Sequence, residues 1–476
     1  MPKSPSLKLN FVMNAILTAS SLLFPMITFP YVSRVLLPEG NGQIAFVTSC
    51  ISYFSMTASL GIPTYGIRIC AQIRDDKDRL SRTVQEIFVI NALMTALIYV
   101  CFFAAIHAVE QFRAEKTLFL ICGSTMFFNL IGMEWLYKAL EQYHYITVRS
   151  ILFKMVSVVL MFLMVHSPED YIIYGGITVL AGVGSNLLNF INVRRYVSLT
   201  ARPPYCLSRH MKPILVFFAL SVATTIYTNL DIVMLQFASG SREVGYYHAA
   251  VKIKVILTSL VTSLGAVLLP RISYYVETRQ PEQYLKLIRK AFEFVFLSAA
   301  PLCIFFIVMA EESILFLSGK AYMASVTPMR VIMPTVLLIG LTNLIGIQLL
   351  VPLGKEKLVF YSTCFGAFVD IVLNLYFIPR LASTGAAIGT TAAELVVLAA
   401  QVWFIRSRLG ALGTGLQLHR IIGALIPAAL TLLFVHSRFT GHGSFITLAV
   451  TAGSFFSVYG IALMLWGYQL PFRSRT

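Results

Sequence analysis

The chain is divided by fourteen apolar stretches, about 10–33, 43–66, 84–107, 117–137, 147–166, 171–192, 213–237, 247–269, 291–309, 327–351, 358–378, 386–405, 420–436 and 445–467. A hydrocarbon core of ~30 Å requires ~20 residues at the helical rise, and most of these stretches reach that length. The fold class that follows is an all-α polytopic membrane protein with about fourteen transmembrane helices. Composition agrees, because 57% hydrophobic and 12% charged residues would leave a soluble chain of this length short of polar surface.

Lys and Arg gather on every second connection, in the runs Arg68/Arg74/Lys77/Arg79/Arg82, Arg194/Arg195/Arg202/Arg209/Lys212 and Arg271/Arg279/Lys286/Arg289/Lys290. That alternation predicts that both termini are cytoplasmic. The net charge of +16 is spread over short loops beside apolar segments. It therefore points to anionic lipid headgroups, and no nucleic-acid partner is expected. Residues 1–10, with Lys3 and Lys8, precede an apolar run too long for a signal peptide, so a retained first helix is expected. The seven cysteines are odd in number and show no CxxC, which implies neither a disulfide framework nor a metal site.

A weak internal repeat lays the first two stretches over the seventh and eighth. Gly42 and Gly61 answer Gly245 and Gly265, and Pro63 and Arg68 answer Pro270 and Arg271. The offset of about 203 residues gives two lobes of six helices in the same orientation, 1–209 and 210–409, with 410–476 carrying two extra C-terminal helices. The Arg202-Pro203-Pro204 segment reads as the interlobe linker. Parallel lobes with a ligand held between them are one architecture of alternating-access carriers. Gly182 and Gly184 in the sixth stretch, and Gly340 and Gly346 in the tenth, read as positions of close packing and kinking.

Charges at membrane depth cost about 2.5–3.5 kcal/mol on insertion scales, so each needs a partner, a wet cavity or a route to the interface. Glu86, Glu134 and Lys154 lie near the basic side, where snorkelling or a shallow ion pair accounts for them. Asp231 in the seventh stretch and Lys252 in the eighth both fall roughly 9 Å to the outer side of the midplane, with Lys254 slightly deeper. Asp370 and Glu394 share another depth, roughly 3 Å outside it.

Asp370 and Asn374 stand four apart, as do Thr390 and Glu394, while Thr391 is three from Glu394. Such oxygens converging near the midplane suit Na⁺, or a proton if one acid is hard to ionise; an Asp370/Glu394 pair that serves packing alone is the other reading. Arg34 closes the first stretch and Arg330 opens the tenth, which with Lys252 and Lys254 places basic groups in both predicted lobes. A cavity facing them would attract an anion, diphosphate above all. Tyr227, Tyr246 and Tyr247 near Asp231 offer rings for stacking on sugars.

The segments Phe29-Pro30-Tyr31-Val32-Ser33-Arg34-Val35-Leu36, Gly132-Met133-Glu134-Trp135-Leu136-Tyr137, Asp231-Ile232-Val233-Met234-Leu235, Glu243-Val244-Gly245-Tyr246-Tyr247 and Leu269-Pro270-Arg271-Ile272-Ser273, in this order, resemble bacterial polysaccharide flippases of the Wzx type. These belong to the superfamily that also holds multidrug (MATE) and lipid II carriers. The resemblance implies a V-shaped two-lobe carrier in the bacterial inner membrane, moving undecaprenyl-diphosphate-linked oligosaccharide repeat units to the outer leaflet. It also implies work beside a polysaccharide polymerase and chain-length machinery. A cation site built from helices 7, 11 and 12 in the related lipid II flippases would map here to Asp231, Asp370, Asn374 and Thr390 or Thr391. No cofactor is expected beyond a coupling Na⁺ or H⁺.

The alternatives are a cation-coupled multidrug exporter, a lipid II flippase, and a membrane glycosyltransferase or polymerase. An exporter of cationic drugs usually carries an acid in its first helix, where this chain offers only Arg34. A transferase needs surface acids, and the candidates are Asp75/Asp76/Asp78 and Glu169/Asp170, without a large loop to hold an acceptor. No enzymatic activity is therefore expected.

Overall fold

The computed structural model describes residues 7–198, 200, 205–406, 416–439 and 443–468. The expected linker Arg202-Pro203-Pro204 lies outside them, as do Lys3 and most of the segment joining the twelfth and thirteenth stretches. Every described element is helical. Among the described residues nine helices are long and apolar enough to cross a membrane, or ten if the bent pair Lys320–Ile332 and Thr335–Leu350, which turns by 44°, counts as one. The chain is a multi-pass membrane protein. Its lipid-facing surface is correspondingly apolar, with Leu163 67% exposed and Met464 and Leu465 80% exposed.

Several expected loops are single-residue breaks in continuous helices. Leu7–Ser59 runs through the region expected to connect the first two stretches and is interrupted only at Leu37 (φ 59°, ψ 176°). Pro38 drives this, since a residue before proline is disfavoured in the helical region. Asn41 Nδ2 then donates to the Leu37 carbonyl at 3.2 Å and repairs part of the interrupted ladder. Glu356–Phe404 likewise spans the eleventh and twelfth stretches with one break at Ala382 (φ 47°, ψ −125°). The expected fourth stretch ends early, at Gly132, because Met133 adopts a left-handed conformation (φ 39°, ψ 41°) before the short helix Glu134–Ala139.

The described chain packs into two compact units, Met1–Phe237 and Ala238–Thr476. In the first, one core gathers Val32, Leu36, Phe46, Phe102 and Phe119, and a second gathers Leu80, Ile87, Trp135, Tyr137 and Ile214. Glycine permits the close crossings. A Cβ at Gly61, itself at φ +73°, would lie 2.5 Å from the Phe218 amide nitrogen, so the Ser208–Ser239 helix passes directly over that turn. Its repeat counterpart Gly265 differs, standing inside the unbroken helix Ser241–Glu277 and facing the Gln348 side chain.

The sixth and tenth stretches contain wide π-type turns at Leu180–Gly184 and Leu344–Leu350, where the glycines were expected to bend the chain. In the second unit the last two helices, Leu418–Phe439 and Ser444–Leu465, share a core with Phe305 and Met309, and Tyr459 Oη donates to the Leu297 carbonyl at 3.2 Å.

Candidate functional site

Within the first unit a cavity of about 530 Å³ is walled by helices that each contribute small polar residues at helical spacing. Thr48, Ser52, Ser55 and Ser59 come from one face of Leu7–Ser59, Thr125 and Asn129 from Lys116–Gly132, and Ser221 and Thr225 from Ser208–Ser239. The π turn supplies Gly182 and Val183. Spacings of three and four residues place each set on one helix face.

Among the described residues the lining carries no charged side chain. Thr48 donates to the Ile44 carbonyl at 2.7 Å, Ser52 to Thr48 at 2.9 Å and Ser221 to Phe217 at 3.0 Å. Their lone pairs remain as acceptors for a ligand rich in hydroxyl donors. Ser55 Oγ is buried without a hydrogen-bond partner among the described residues. None of these residues was singled out from the sequence, although the 48/52/55/59 stripe of small hydroxyls is a readable signal.

In the second unit the break at Ala382 folds Glu356–Phe404 back on itself. Asp370 and Glu394 each stand twelve residues from it (382 − 370 and 394 − 382), and both are buried. Gly389 makes the approach possible: a Cβ there would lie 2.2 Å from Asn374 Oδ1 and 3.1 Å from Asp370 Oδ1. Two oxygens from successive turns thus converge on one backbone position of the opposite arm, an all-oxygen arrangement of the kind a hard cation takes.

The threonines differ. Thr390 Oγ1 bonds Tyr247 Oη at 2.8 Å, and Thr391 Oγ1 reaches the Val331 and Ala387 carbonyls at 2.9 and 2.8 Å, so the Thr391 proton is committed to backbone. Glu243 caps the second arm from a neighbouring helix, accepting from the Ser383 hydroxyl at 2.6 Å and the Ser383 amide at 3.2 Å. Asp231 is buried in the first unit.

The basic candidates are dispersed. Arg34 is exposed and folds back on its own helix, Nη1 donating to the Pro30 carbonyl at 2.6 Å. Arg330 is exposed on the short helix Val326–Ile332. Lys252 and Lys254 are half-buried on Ser241–Glu277, one turn beyond His248. Tyr246 and Tyr247 are buried, Tyr246 edge-on to Tyr322, which turns them from sugar-stacking candidates into packing residues.

The shallow acids find specific partners. Glu134 bridges Arg149 at 2.9 Å and Lys138 at 2.8 Å, and Arg149, which the sequence reading passed over, also donates to Asn186 at 3.2 Å. Lys154 has no ion pair among the described residues; its ammonium donates to Ser20 at 3.0 Å and Ser21 at 2.9 Å on the first helix. Glu86 is fully buried, accepting from the Cys206 amide at 2.8 Å, from His210 Nε2 at 2.9 Å and from the Arg209 guanidinium. The surface acids considered for catalysis cap turns: Asp76 accepts from the amides of Asp78 and Arg79, and Asp170 from those of His166 and Ser167.

The sequence profile of the family described as "Polysaccharide biosynthesis protein" matches residues 7–276. The chain is 22% identical over 404 residues, 84% of its length and 97% of the relative's, to a protein provisionally named an O-antigen transporter in Escherichia coli (strain K12). It is 24% identical over 391 residues, 80% and 94% of the two chains, to a Shigella dysenteriae protein of the same provisional name. Among solved structures it superposes on the lipid II flippase MurJ, in an inward closed conformation, with a TM-score of 0.75 at 13% identity, covering 96% of this chain and 98% of that one. An inward-facing multidrug resistance MATE family transporter of the MOP superfamily follows with a TM-score of 0.64 at 13% identity, covering 85% and 99%. At these identities the structural likeness is one of fold.

Proposed function

Because the chain belongs to the polysaccharide biosynthesis protein family, we propose that it flips undecaprenyl-diphosphate-linked oligosaccharide from the cytoplasmic to the outer leaflet of the bacterial inner membrane. The observation that carries this reading is the uncharged, hydroxyl-lined cavity of the first unit. Transferring sugar hydroxyls into an apolar medium without replacement hydrogen bonds costs several kcal/mol each, so a glycan needs a lining of acceptors while its lipid tail stays in the bilayer. A cavity for cationic drugs would instead present acids, and the described lining of this one presents hydroxyls and an amide.

Counting the arms of the two broken helices separately, and each interrupted stretch once, supports fourteen crossings. An even count accords with both termini being cytoplasmic, and the two six-helix lobes 1–209 and 210–409, with a C-terminal pair in 410–476, are part of the proposal. Alternating exposure of the cleft then moves the glycan without opening a continuous path. Asp370 and Asn374 would hold a coupling Na⁺ at the Gly389 crossing, with Thr390 and Glu394 as further members; Asp231, in the first unit, remains a separate coupling candidate. Lys252, Lys254, Arg34 and Arg330 remain the candidates for countering diphosphate charge.

The deciding experiment is deletion of the gene followed by leaflet-resolved analysis of lipid-linked oligosaccharides. Accumulation of repeat-unit lipid at the inner leaflet, reversed by the intact gene, is the expected result. Unimpaired export of surface glycan in the deletion strain would overturn the reading.

A further inference from the structure

Apart from the hydroxyl-lined cavity the first unit holds a second pocket, of about 300 Å³, with a different chemistry. One wall is apolar, formed by Tyr65 and Ile69, four residues apart on the helix Ile62–Gln72, and by Ile73, the residue that caps its C-terminal end. The other is cationic. Arg79 and Arg82 lie three apart in the opening turns of Lys77–Ala108, and Arg209 enters from the start of Ser208–Ser239.

Three guanidinium groups line this space, and the oxygens of Glu86 beside it are already engaged by the Cys206 amide, His210 and Arg209. The floor is satisfied too, since Tyr65 Oη bonds His210 Nδ1 at 2.6 Å while Nε2 meets Glu86. Arg79 has no side-chain hydrogen bond or ion pair among the described residues. Nor does the helix end compete for a ligand, because the Asp76 carboxylate takes the amides of Asp78 and Arg79. What remains is the Arg79 guanidinium, with those of Arg82 and Arg209 beside it, around a half-enclosed volume.

We infer that this pocket binds a phosphate-bearing lipid headgroup. Guanidinium forks match phosphate oxygens bidentately, and an anion with three or more oxygens engages several forks at once, where a carboxylate fills one. Placing a multiply charged anion among like charges relieves their repulsion. The apolar wall gives the first carbons of an attached chain a dry surface. The headgroup is either the diphosphate of the lipid-linked substrate, loading before it reaches the hydroxyl-lined cavity, or the phosphate of a bulk anionic phospholipid. The inference deepens the proposed carrier reading, on which it rests for the side of the membrane.

The test titrates the purified full-length protein with inorganic pyrophosphate by calorimetry, in detergent and in phosphatidylcholine nanodiscs with and without phosphatidylglycerol. Saturable binding is expected, weakened at least tenfold in Arg79→Gln/Arg82→Gln and unchanged in Arg380→Gln, whose guanidinium packs on Tyr376 in the second unit. Arg79→Lys/Arg82→Lys, which keeps the charge but loses the forks, should fall between and guards against misfolding of the glutamine variant. Phosphatidylglycerol that displaces pyrophosphate assigns the pocket to bulk lipid; failure to displace it assigns the pocket to the lipid-linked diphosphate. Absent binding, or equal affinity in the glutamine variant, overturns the inference. If the intact gene restores glycan export while pyrophosphate fails to bind, only this inference falls; if pyrophosphate binds and the deletion strain exports normally, only the carrier reading does.

Discussion

Replacing Glu86 by Ala removes a buried acceptor that three donors share, and the loss can be worked out group by group. Arg209 is 47% exposed and regains water, so its ion pair contributes about 0–1 kcal/mol. His210 is 2% exposed and cannot. Hydrogen bonds to a charged acceptor contribute about 1.5–3 kcal/mol each, so the His210 and Cys206 bonds together give about 3–6 kcal/mol, which covers the range of about 3–5 kcal/mol found when one partner of a buried pair is removed. Glu86→Gln keeps the carbonyl oxygen that accepts from Cys206 at nearly the same volume, and should lose about 1–2 kcal/mol. Reversible unfolding in mixed detergent micelles, followed by helical circular dichroism against sodium dodecyl sulfate fraction, measures both. An alanine variant within about 0.5 kcal/mol of the parent chain, the ordinary range for a surface change, would refute the reasoning.

Other outcomes follow from the geometry. Gly389→Ala forces the Asn374 amide out of a 2.2 Å overlap and should destabilise the chain by about 1–3 kcal/mol, measured in the same micelle titration. Asp231→Asn and Asp370→Asn should abolish glycan export while membrane fractionation still finds the protein inserted; unchanged export in both would remove the coupling role. Lys252→Ala should weaken capture of diphosphate lipid in a binding assay, and equal affinity would count against its role in countering diphosphate charge. Burial lifts the Glu115 carboxyl above its ordinary value of 4.5, with Glu39 adding repulsion, against the lowering effect of hydrogen bonds from Tyr171 and Gln43. A raised value means that the folded state holds the proton more tightly. The associated stability is complete below the ordinary value and is lost as pH rises through the raised one. Glu115→Gln should flatten that decline in unfolding measurements from pH 4 upward.

Hydrophobicity and charge bias made the membrane class legible, because lipid imposes length and orientation on every crossing regardless of partners. Connection geometry was less so. Leu37 and Ala382 replace loops that any window of hydropathy would place there, since a single left-handed residue reverses a chain as well as a loop does. The oxygens of Asp370 and Asn374 could be placed on one face from their spacing alone, while the glycine that receives them could not. Pairings across more than a hundred residues, such as Lys154 with Ser20 or Glu86 with Cys206, leave no linear trace. The cavity stripe at 48, 52, 55 and 59 was visible in principle, but attention to charges at depth passes over neutral hydroxyls.

The wide turn at Leu180–Gly184 acts as a phase shift along its helix. One surplus residue rotates everything after Gly184 by about 100° from where a uniform helix would carry it. That offset lets Gly182 and Val183 border the cavity while Asn189, further along, donates to the Gly132 carbonyl at 2.7 Å and accepts from Tyr137 at 2.6 Å. Excising a single residue there would restore a regular spiral, and swing this clasp away from the helix end it secures.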